Sequence, residues 1–376
     1  MNIIRRKLTT QINELLTLKK VILIHGTRRV GKTFMLKSLI EGYQGKYKFF
    51  NGEDFDVQEL LKHRSQAHYL RIIGDSQLLV IDEAQMIPEV GWVLKLMIDS
   101  NPKLTILATG SSSFDLMNKT GEPLTGRTRS FMLYPVAQLE LGNDPVEAKR
   151  QLDERLVFGA YPELFNLEGI DNKIIYLKEL IQSYLLKDIL AFSGIRHADK
   201  IVGLLRLIAY QVGAEVSYQE IAAQLGINKL TVETYLDLLS KVFILYKLPA
   251  YSTNQRKEVS KIAKWYFYDN GIRNAIINDF RMPVLRNDIG VLWENYIVSE
   301  RIRYNAYSGR LVQYFFWRNY NQQEVDLIEL HNGQLHAFEC KFTLNKKIKP
   351  PSAFANAYPE ALFDVIHKEN YMEFIL

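Results

Sequence analysis

Along the first third of the chain, short continuous apolar runs alternate with stretches whose apolar positions recur every three or four residues, the pattern of a buried parallel sheet covered by helices. Residues 1–20 read as a helix, with Ile4, Leu8, Ile12, Leu15 and Leu16 at helical spacing, and Val21 to Ile24 as the strand it leads into. A helical pattern follows over Phe34 to Ile40, then a strand at Tyr47 to Phe50 and a helix at Val57 to Leu61 after the turn signal Asn51-Gly52. Leu78 to Ile81 and Leu104 to Ala108 are further apolar strands, and Ser130 to Tyr134 is another, stopped by Pro135. Residues 146–212 read as helical throughout, with Leu177, Leu180, Ile181, Leu185 and Ile189 close to helical spacing.

The pattern then changes twice. Ile221, Ala222 and Leu225 form one short helix face, Gly226 supplies a turn, and Leu230, Val232, Tyr235, Leu236 and Leu239 form a second face, which is helix-turn-helix design. Phe243 to Leu248 and Ile262 to Tyr268 read as wing strands joined by the polar, basic Ser252 to Lys261. From Gly290 onward a helix at Val291 to Tyr304 precedes strands at Leu311 to Trp317, Glu324 to Leu330 and Leu335 to Phe342, the last two separated by Asn332-Gly333.

Two of the strand ends carry chemistry. Between the first strand and its helix lies HGTRRVGKT, in which Gly26, Thr27, Arg28, Arg29, Val30, Gly31, Lys32 and Thr33 fit G-x-x-x-x-G-K-[ST]. The glycines permit a tight turn that aims backbone N–H groups at phosphates, and the helix opening at Lys32 adds its positive end. Lys32 is placed to reach the β- and γ-phosphates of ATP and Thr33 to hold Mg²⁺. The strand at Leu78 to Ile81 ends in Asp82-Glu83, where Asp82 would hold the water shell of Mg²⁺ and Glu83 would polarise the attacking water. Thr109 or Ser111, after the strand at Leu104 to Ala108, would sit beside the γ-phosphate, while Ser112 and Ser113 read as caps of a following helix. Arg127 is the first candidate, and Arg129 the second, for an arginine presented to a neighbour's nucleotide in a ring; a surface arginine ahead of an edge strand is the alternative.

Together HGTRRVGKT, LLVIDEAQ, ILATGSS and PLTGRTRSFMLYP resemble the AAA-type ATPases of the archaeal-ATPase group, and the likeness runs on through Gly159 to Glu163, Tyr268 to Gly271, Gly290 to Glu300, Glu324 to Asp326 and Glu339 to Lys341. The resemblance implies an α/β fold class: an AAA-type P-loop domain over residues 1–140, a helical lid or linker over 141–212, a winged-helix-like region over 213–285, and a restriction-endonuclease-like α/β domain over 286–376. The segment beginning GAYPEL, in the place of the lid, carries no sensor arginine.

The terminal strands add a second constellation. Residues two apart on a strand share a face, so Glu324 projects with Asp326 and Glu339 with Lys341, leaving Val325 and Cys340 opposite. Asp326 and Glu339 are spaced to ligate Mg²⁺ in a metal-dependent phosphodiesterase, with Lys341 holding charge in the transition state and Glu294, from the helix, completing the site. The alternative is a half-exposed strand whose alternating Glu and Lys are solvated, or a scaffold that binds without cutting. DNA contact would be mostly non-sequence-specific, since Arg256, Lys257, Lys261 and Lys264 suit the phosphate backbone, whereas Glu233 and Asp237 on the second helix would repel it.

Composition narrows the setting only slightly. At 376 residues the chain exceeds one ordinary core, and a prior of about 150 residues per domain suggests two or three domains. A net charge of +5 permits nucleic-acid binding without arguing for it. A single cysteine, Cys340, excludes an internal disulfide and a Cys-based zinc site, and reads as a small buried residue. No apolar run approaches the roughly 18 residues of a membrane span, and the start of the chain lacks a secretory apolar region, so a cytoplasmic location and no membrane partner are expected. The expected function is Mg²⁺-dependent ATP binding and hydrolysis, in a possible homo-oligomer, acting on nucleic acid through the nuclease-like domain. Its rival is a nucleotide-controlled switch, or a DNA- or protein-binding regulator, whose terminal domain is a non-catalytic scaffold.

Overall fold

The computed structural model describes residues 4–110, 124, 126–142, 144–185, 198–252 and 263–376, and the chain divides into two compact units, Ile3–Tyr134 and Pro135–Leu376. Ser111 to Ser113, Arg256, Lys257 and Lys261 lie outside the described residues.

In the first unit, strands β1 (Val21–His25), β2 (Tyr47–Asn51), β3 (Leu78–Asp82), β4 (Thr105–Gly110) and β5 (Thr128–Met132) form one parallel sheet in the order β2-β3-β4-β1-β5. The three inner strands β1, β3 and β4 are buried at every position. Helices cover both faces of such a sheet, which is why these strands read as continuous apolar runs. The edge strand β2 alternates half-buried with exposed residues. Helices α1 (Lys7–Leu15), α2 (Lys32–Glu41), α3 (Phe55–Lys62), α4 (Gln66–Ile73) and α5 (Val90–Ser100) complete the unit. Leu61, Tyr69, Ile73, Val93, Leu94 and Met97 pack from helices against Leu79, Ile81 and Ile106 of the sheet. Because the strands are parallel and β3, β4 and β1 are neighbours, the residues that follow them emerge together at one end of the sheet. Ligands gather at that carboxyl end in open α/β sheets.

The second unit begins with α6 (Pro145–Phe158), which opens with Asp144 accepting from the Val146 amide and ends at Gly159. Then come α7 (Ile170–Glu179), a π-helical turn at Leu180–Leu185, and α8 (Ala198–Tyr210). Helices α9 (Tyr218–Leu225) and α10 (Lys229–Lys241) are joined by a turn in which Gly226 adopts φ +65° and Asn228 caps the Thr231 amide at 2.7 Å. Strands β6 (Leu245–Pro249) and β7 (Ala263–Phe267) pair antiparallel, and α11 (Asn270–Ile277) follows. The 19-residue α12 (Ile289–Tyr307) lies beside a mixed sheet of β8 (Gln313–Arg318), β9 (Glu324–His331), β10 (Gln334–Cys340) and β11 (Leu362–Ile366), in the order β11-β10-β9-β8, with short helices α13 (Ser352–Ala357) and α14 (Tyr371–Ile375). The molecule is therefore a mixed α/β protein, with a five-stranded parallel sheet of the P-loop type and a second, mixed sheet toward its C-terminus.

Buried charge holds the second unit together. Glu300 on α12 is 1% exposed and accepts from Arg155 at 2.8 Å, from Arg303 at 2.7 Å and from the Gln138 amide at 2.7 Å. A carboxylate so enclosed is tolerable only because its lone pairs are taken up. One sequence expectation is corrected here. Lys264 is not available to a phosphate backbone: it lies within β7 at 0% exposure.

Candidate functional site

The loop from Gly26 to Thr33 leaves β1 and enters α2, with Gly31 at φ +99° immediately before the helix. That left-handed conformation is open to glycine at little cost and lets the chain reverse into the helix. Arg6 fastens the loop from below, donating to the carbonyls of Val30 at 2.7 Å and Tyr134 at 2.6 Å. Lys32 folds back, its ammonium donating to the carbonyls of Gly26 and Thr27 at 3.0 Å each. Thr27 and Val30 are buried, Arg28 is half-buried, and Arg29 and Thr33 face outward.

Asp82, at the end of β3, meets this loop directly. Thr33 Oγ1 donates to Asp82 Oδ2 at 2.7 Å, and the fully buried Thr109, at the end of β4, donates to Asp82 Oδ1. Thr109 also accepts the Glu83 amide at 3.1 Å, and Gln85 donates to the Glu83 carboxylate. Glu83 itself is held at φ +48°, which turns its side chain out of the strand direction. The structure thus gathers Gly26 to Thr33, Asp82, Glu83 and Thr109 at one sheet end. A hydroxyl and a carboxylate at hydrogen-bond distance, beside a helix start, make a donor set of the kind that suits a magnesium-bound nucleotide.

Arg127 lies elsewhere. Thr128 is in register with Val21 at the start of β1, so Arg127 sits on the order of 20 Å along the strands from Gly26, at a rise of 3.3 Å per residue. It donates to Asp99 Oδ1 at 2.7 Å, with both side chains about 40% exposed. From there it is unable to reach the nucleotide of its own chain, and Arg129, one residue into β5, shares that limit.

The second unit holds the other predicted cluster, with an addition. Glu294 on α12, Glu324 and Asp326 on β9 and Glu339 on β10 converge, but Lys264 reaches in among them from β7. Its ammonium is 3.6 Å from Glu294 Oε1 and 3.9 Å from Asp326 Oδ1, and it bonds to Glu324. Neutral donors hold the remaining oxygens: Tyr266 gives its hydroxyl to Glu294 at 2.7 Å and the Cys340 amide donates to Asp326 Oδ2 at 2.8 Å. Gly213 makes the room, since a Cβ there would come within 2.7 Å of Glu294 Oε1. Lys341 pairs with Glu339 at 2.6 Å.

The charges adjust to this setting. Burial opposes the Lys264 charge, yet the carboxylates of Glu294, Asp326 and Glu324 outweigh it and hold its pKa above the ordinary lysine range. Burial, aided by the neighbouring Asp326 charge, pushes the Glu294 carboxyl up to about 8, against the pull of Lys264 and Tyr266. Glu339 is raised by burial and by Asp326, and burial keeps the Cys340 thiol protonated. Among the described residues, no group of three or more His, Cys, Asp or Glu side chains is arranged to hold a metal ion. Sequence reasoning missed Lys264 and Tyr266 as members of this cluster. The available signal was a lysine inside the otherwise apolar run Ala263 to Phe267, since a lysine goes fully under only when paired.

Comparison with known proteins matches three segments of the chain to family models. Residues 18–142 match a family model described as an AAA domain, residues 149–282 one described as Domain of unknown function (DUF8612), and residues 289–371 one described as Domain of unknown function (DUF4143). Uncharacterized protein Rv2008c of Mycobacterium tuberculosis is 27% identical over 350 residues, covering 92% of this chain and 75% of that protein. Uncharacterized protein MJ1544 of Methanocaldococcus jannaschii is 25% identical over 374 residues, covering 92% and 79%. Among solved structures, the Walker-type ATPase PABY2304 of Pyrococcus abyssi aligns over 73% of this chain and 96% of its own, at 16% identity and a TM-score of 0.47. The RuvB Holliday junction branch migration motor of Thermotoga maritima aligns over 65% and 90%, at 18% identity and a TM-score of 0.31. The AAA match falls on the five-stranded parallel sheet and its loop, so the first unit has the parallel-sheet fold of a P-loop AAA-type domain.

Proposed function

We propose that the chain binds ATP with Mg²⁺ and hydrolyses it at the carboxyl end of the parallel sheet. The observation that carries this reading is the 2.7 Å approach of Thr33 Oγ1 to Asp82 Oδ2, which joins the loop after β1 to the end of β3. Thr33 and Asp82 would hold the metal, which when bound neutralises phosphate charge and fixes phosphate geometry. The amides from Thr27 to Thr33 and the Lys32 ammonium bind the phosphate oxygens, the ammonium exchanging the carbonyls of Gly26 and Thr27 for the nucleotide. Glu83 orients the attacking water and takes its proton, and the bond from Gln85 fixes its carboxylate. Thr109, tied to Asp82 and to the Glu83 amide, positions both acids. Arg127, too distant from its own chain's nucleotide, would serve that of a neighbouring copy in an oligomer. Equilibrium binding of a fluorescent ATP analogue tests the site: Lys32→Ala is expected to lose binding and turnover together, and unchanged turnover in that variant would sink the proposal.

What hydrolysis drives has two readings. In one, turnover admits nucleic acid to Glu294, Asp326, Glu339 and Lys341 for cleavage. In the other, the second unit binds a partner without cutting it, and ATP state switches that binding. Two observations support the second. Lys229 lies 3.8 Å from Glu233 and Lys241 2.6 Å from Asp237, so α10 offsets its own positive charge, and the carboxylate cluster already holds an ammonium. Single-stranded, duplex and branched DNA incubated with Mg²⁺ or Mn²⁺ are expected to stay intact while ATP is consumed. Cleavage that disappears in Asp326→Ala would restore the nuclease reading.

A further inference from the structure

The carboxylates of the second unit are the residues that a divalent cation would need, and the geometry shows what faces them. Lys264 is fully buried, approaches Glu294, Glu324 and Asp326 within 3.9 Å, and comes from a different strand pair than any of the three. Its ammonium also lies 5.4 Å from the Phe316 ring centroid, a cation–π approach made by a side chain that is 0% exposed. The acids are aimed at it: Tyr266 and the Cys340 amide hold Glu294 and Asp326 by neutral hydrogen bonds, and Gly213 clears the space behind Glu294. The fourth acid, Glu339, is paired with the second lysine, Lys341. Magnesium requires oxygens at about 2.0–2.1 Å in near-octahedral array. That array and an ammonium among the same oxygens exclude one another.

We propose that Lys264 is the resident cation of this cluster, a covalently tethered ammonium at the centre where a divalent ion would lie, and that removing it lets Glu294, Glu324 and Asp326, which as they stand are not arranged to hold a metal, close on a divalent cation instead. The residues therefore do not fit a metal while Lys264 is present. This deepens the non-cleaving reading of the second unit, but it concerns metal uptake and stands whatever the nucleotide site does.

Mn²⁺ uptake by the full-length, nucleotide-free protein is the test, followed by the loss of the free-ion signal in electron paramagnetic resonance. Wild type is expected to show no uptake that Asp326→Asn removes. Lys264→Met, of similar length and without charge, is expected to gain one Mn²⁺ per chain, and Lys264→Met with Asp326→Asn to lose affinity again by about tenfold or more. Uptake by wild type that depends on Asp326, or a folded Lys264→Met protein that takes up no Mn²⁺, would overturn the proposal. Should Lys264→Met fail to fold, thermal melting of wild type decides: no Mn²⁺-induced rise is expected, whereas a rise abolished by Asp326→Asn refutes the assignment.

Discussion

Asp82 in the first unit and Asp326 in the second are both aspartates at strand positions, both under a tenth exposed, and both surrounded by other polar groups. Their surroundings differ in kind. Asp82 accepts from the hydroxyls of Thr33 and Thr109 and from the Glu83 amide. Asp326 accepts from a backbone amide and lies 3.9 Å from a buried ammonium. Hydroxyls rotate and offer a lone pair to an arriving cation, but an ammonium has no lone pair to give and repels it. At an effective dielectric constant near 20, unit charges about 4 Å apart interact by about 4 kcal/mol, so a divalent ion near Lys264 would meet roughly 8 kcal/mol of repulsion. An acidic cluster is therefore read by the cation facing it, not by its carboxylates alone.

The comparison can be broken most directly at Glu83. If the first cluster serves chemistry, Glu83→Gln should keep nucleotide binding and lower turnover by about 10²- to 10⁴-fold, the usual worth of a positioned base. Steady-state phosphate release alongside analogue binding checks it. Equal loss of both would make Glu83 a structural residue and erase the contrast.

A stability measurement sharpens it next. Asp326→Asn leaves a buried ammonium short of a counter-charge, and breaking a buried pair by removing one partner costs about 3 to 5 kcal/mol. Asp82 makes no ion pair among the described residues, so Asp82→Asn strands no buried cation and should cost about 1 kcal/mol, the net worth of a weakened hydrogen bond. Urea midpoints of the two variants, read in the absence of nucleotide and metal, give the difference. Similar costs for both would mean that Lys264 is not held chiefly by these acids.

Much of this was legible in the sequence because burial on both faces leaves a continuous apolar run. Leu78 to Ile81 and Leu104 to Ala108 announce β3 and β4 for that reason, and the loop's spacing places Lys32 and Thr33 at the start of α2. Two-residue periodicity likewise put Glu324 and Asp326 on one face of β9, and both approach Lys264. What stayed hidden were charges that go under only through partners distant in sequence. Lys264 follows the basic stretch ending at Lys261 and reads as part of it, yet its partners lie 30 to 62 residues further on. Arg6 reads as one of three basic residues at the start of the chain, yet it clamps carbonyls of Val30 and Tyr134. Glu300, in a helix buried along most of its length, gives no periodic signal and is fixed by Arg155, 145 residues away. No local pattern encodes pairs of that kind.

Asp288 offers a smaller effect than Asp326 and an internal standard for the comparison, because its counter-ions are arginines with no role proposed in either cluster. Arg273 reaches it at 2.6 Å and Arg286 at 2.8 Å, just ahead of α12. Burial works against the charge, but the Arg286 and Arg273 guanidiniums prevail and hold the carboxyl at about 2, below its ordinary 3.8. With the folded value depressed, the stabilisation is fully present above the unfolded pKa and is lost as pH falls from about 3.8 toward 2. The side chain keeps 29% of its exposure, so screening reduces the gain to about 1 to 2 kcal/mol. Asp288→Asn should lower the neutral-pH urea midpoint by that amount and flatten the acid limb between pH 4 and 2, with no change in Mn²⁺ uptake. If Asp326→Asn costs no more than Asp288→Asn, Asp326 is an ordinary partly screened ion-pair partner, and the tethered ammonium loses its claim to be the centre of the second cluster.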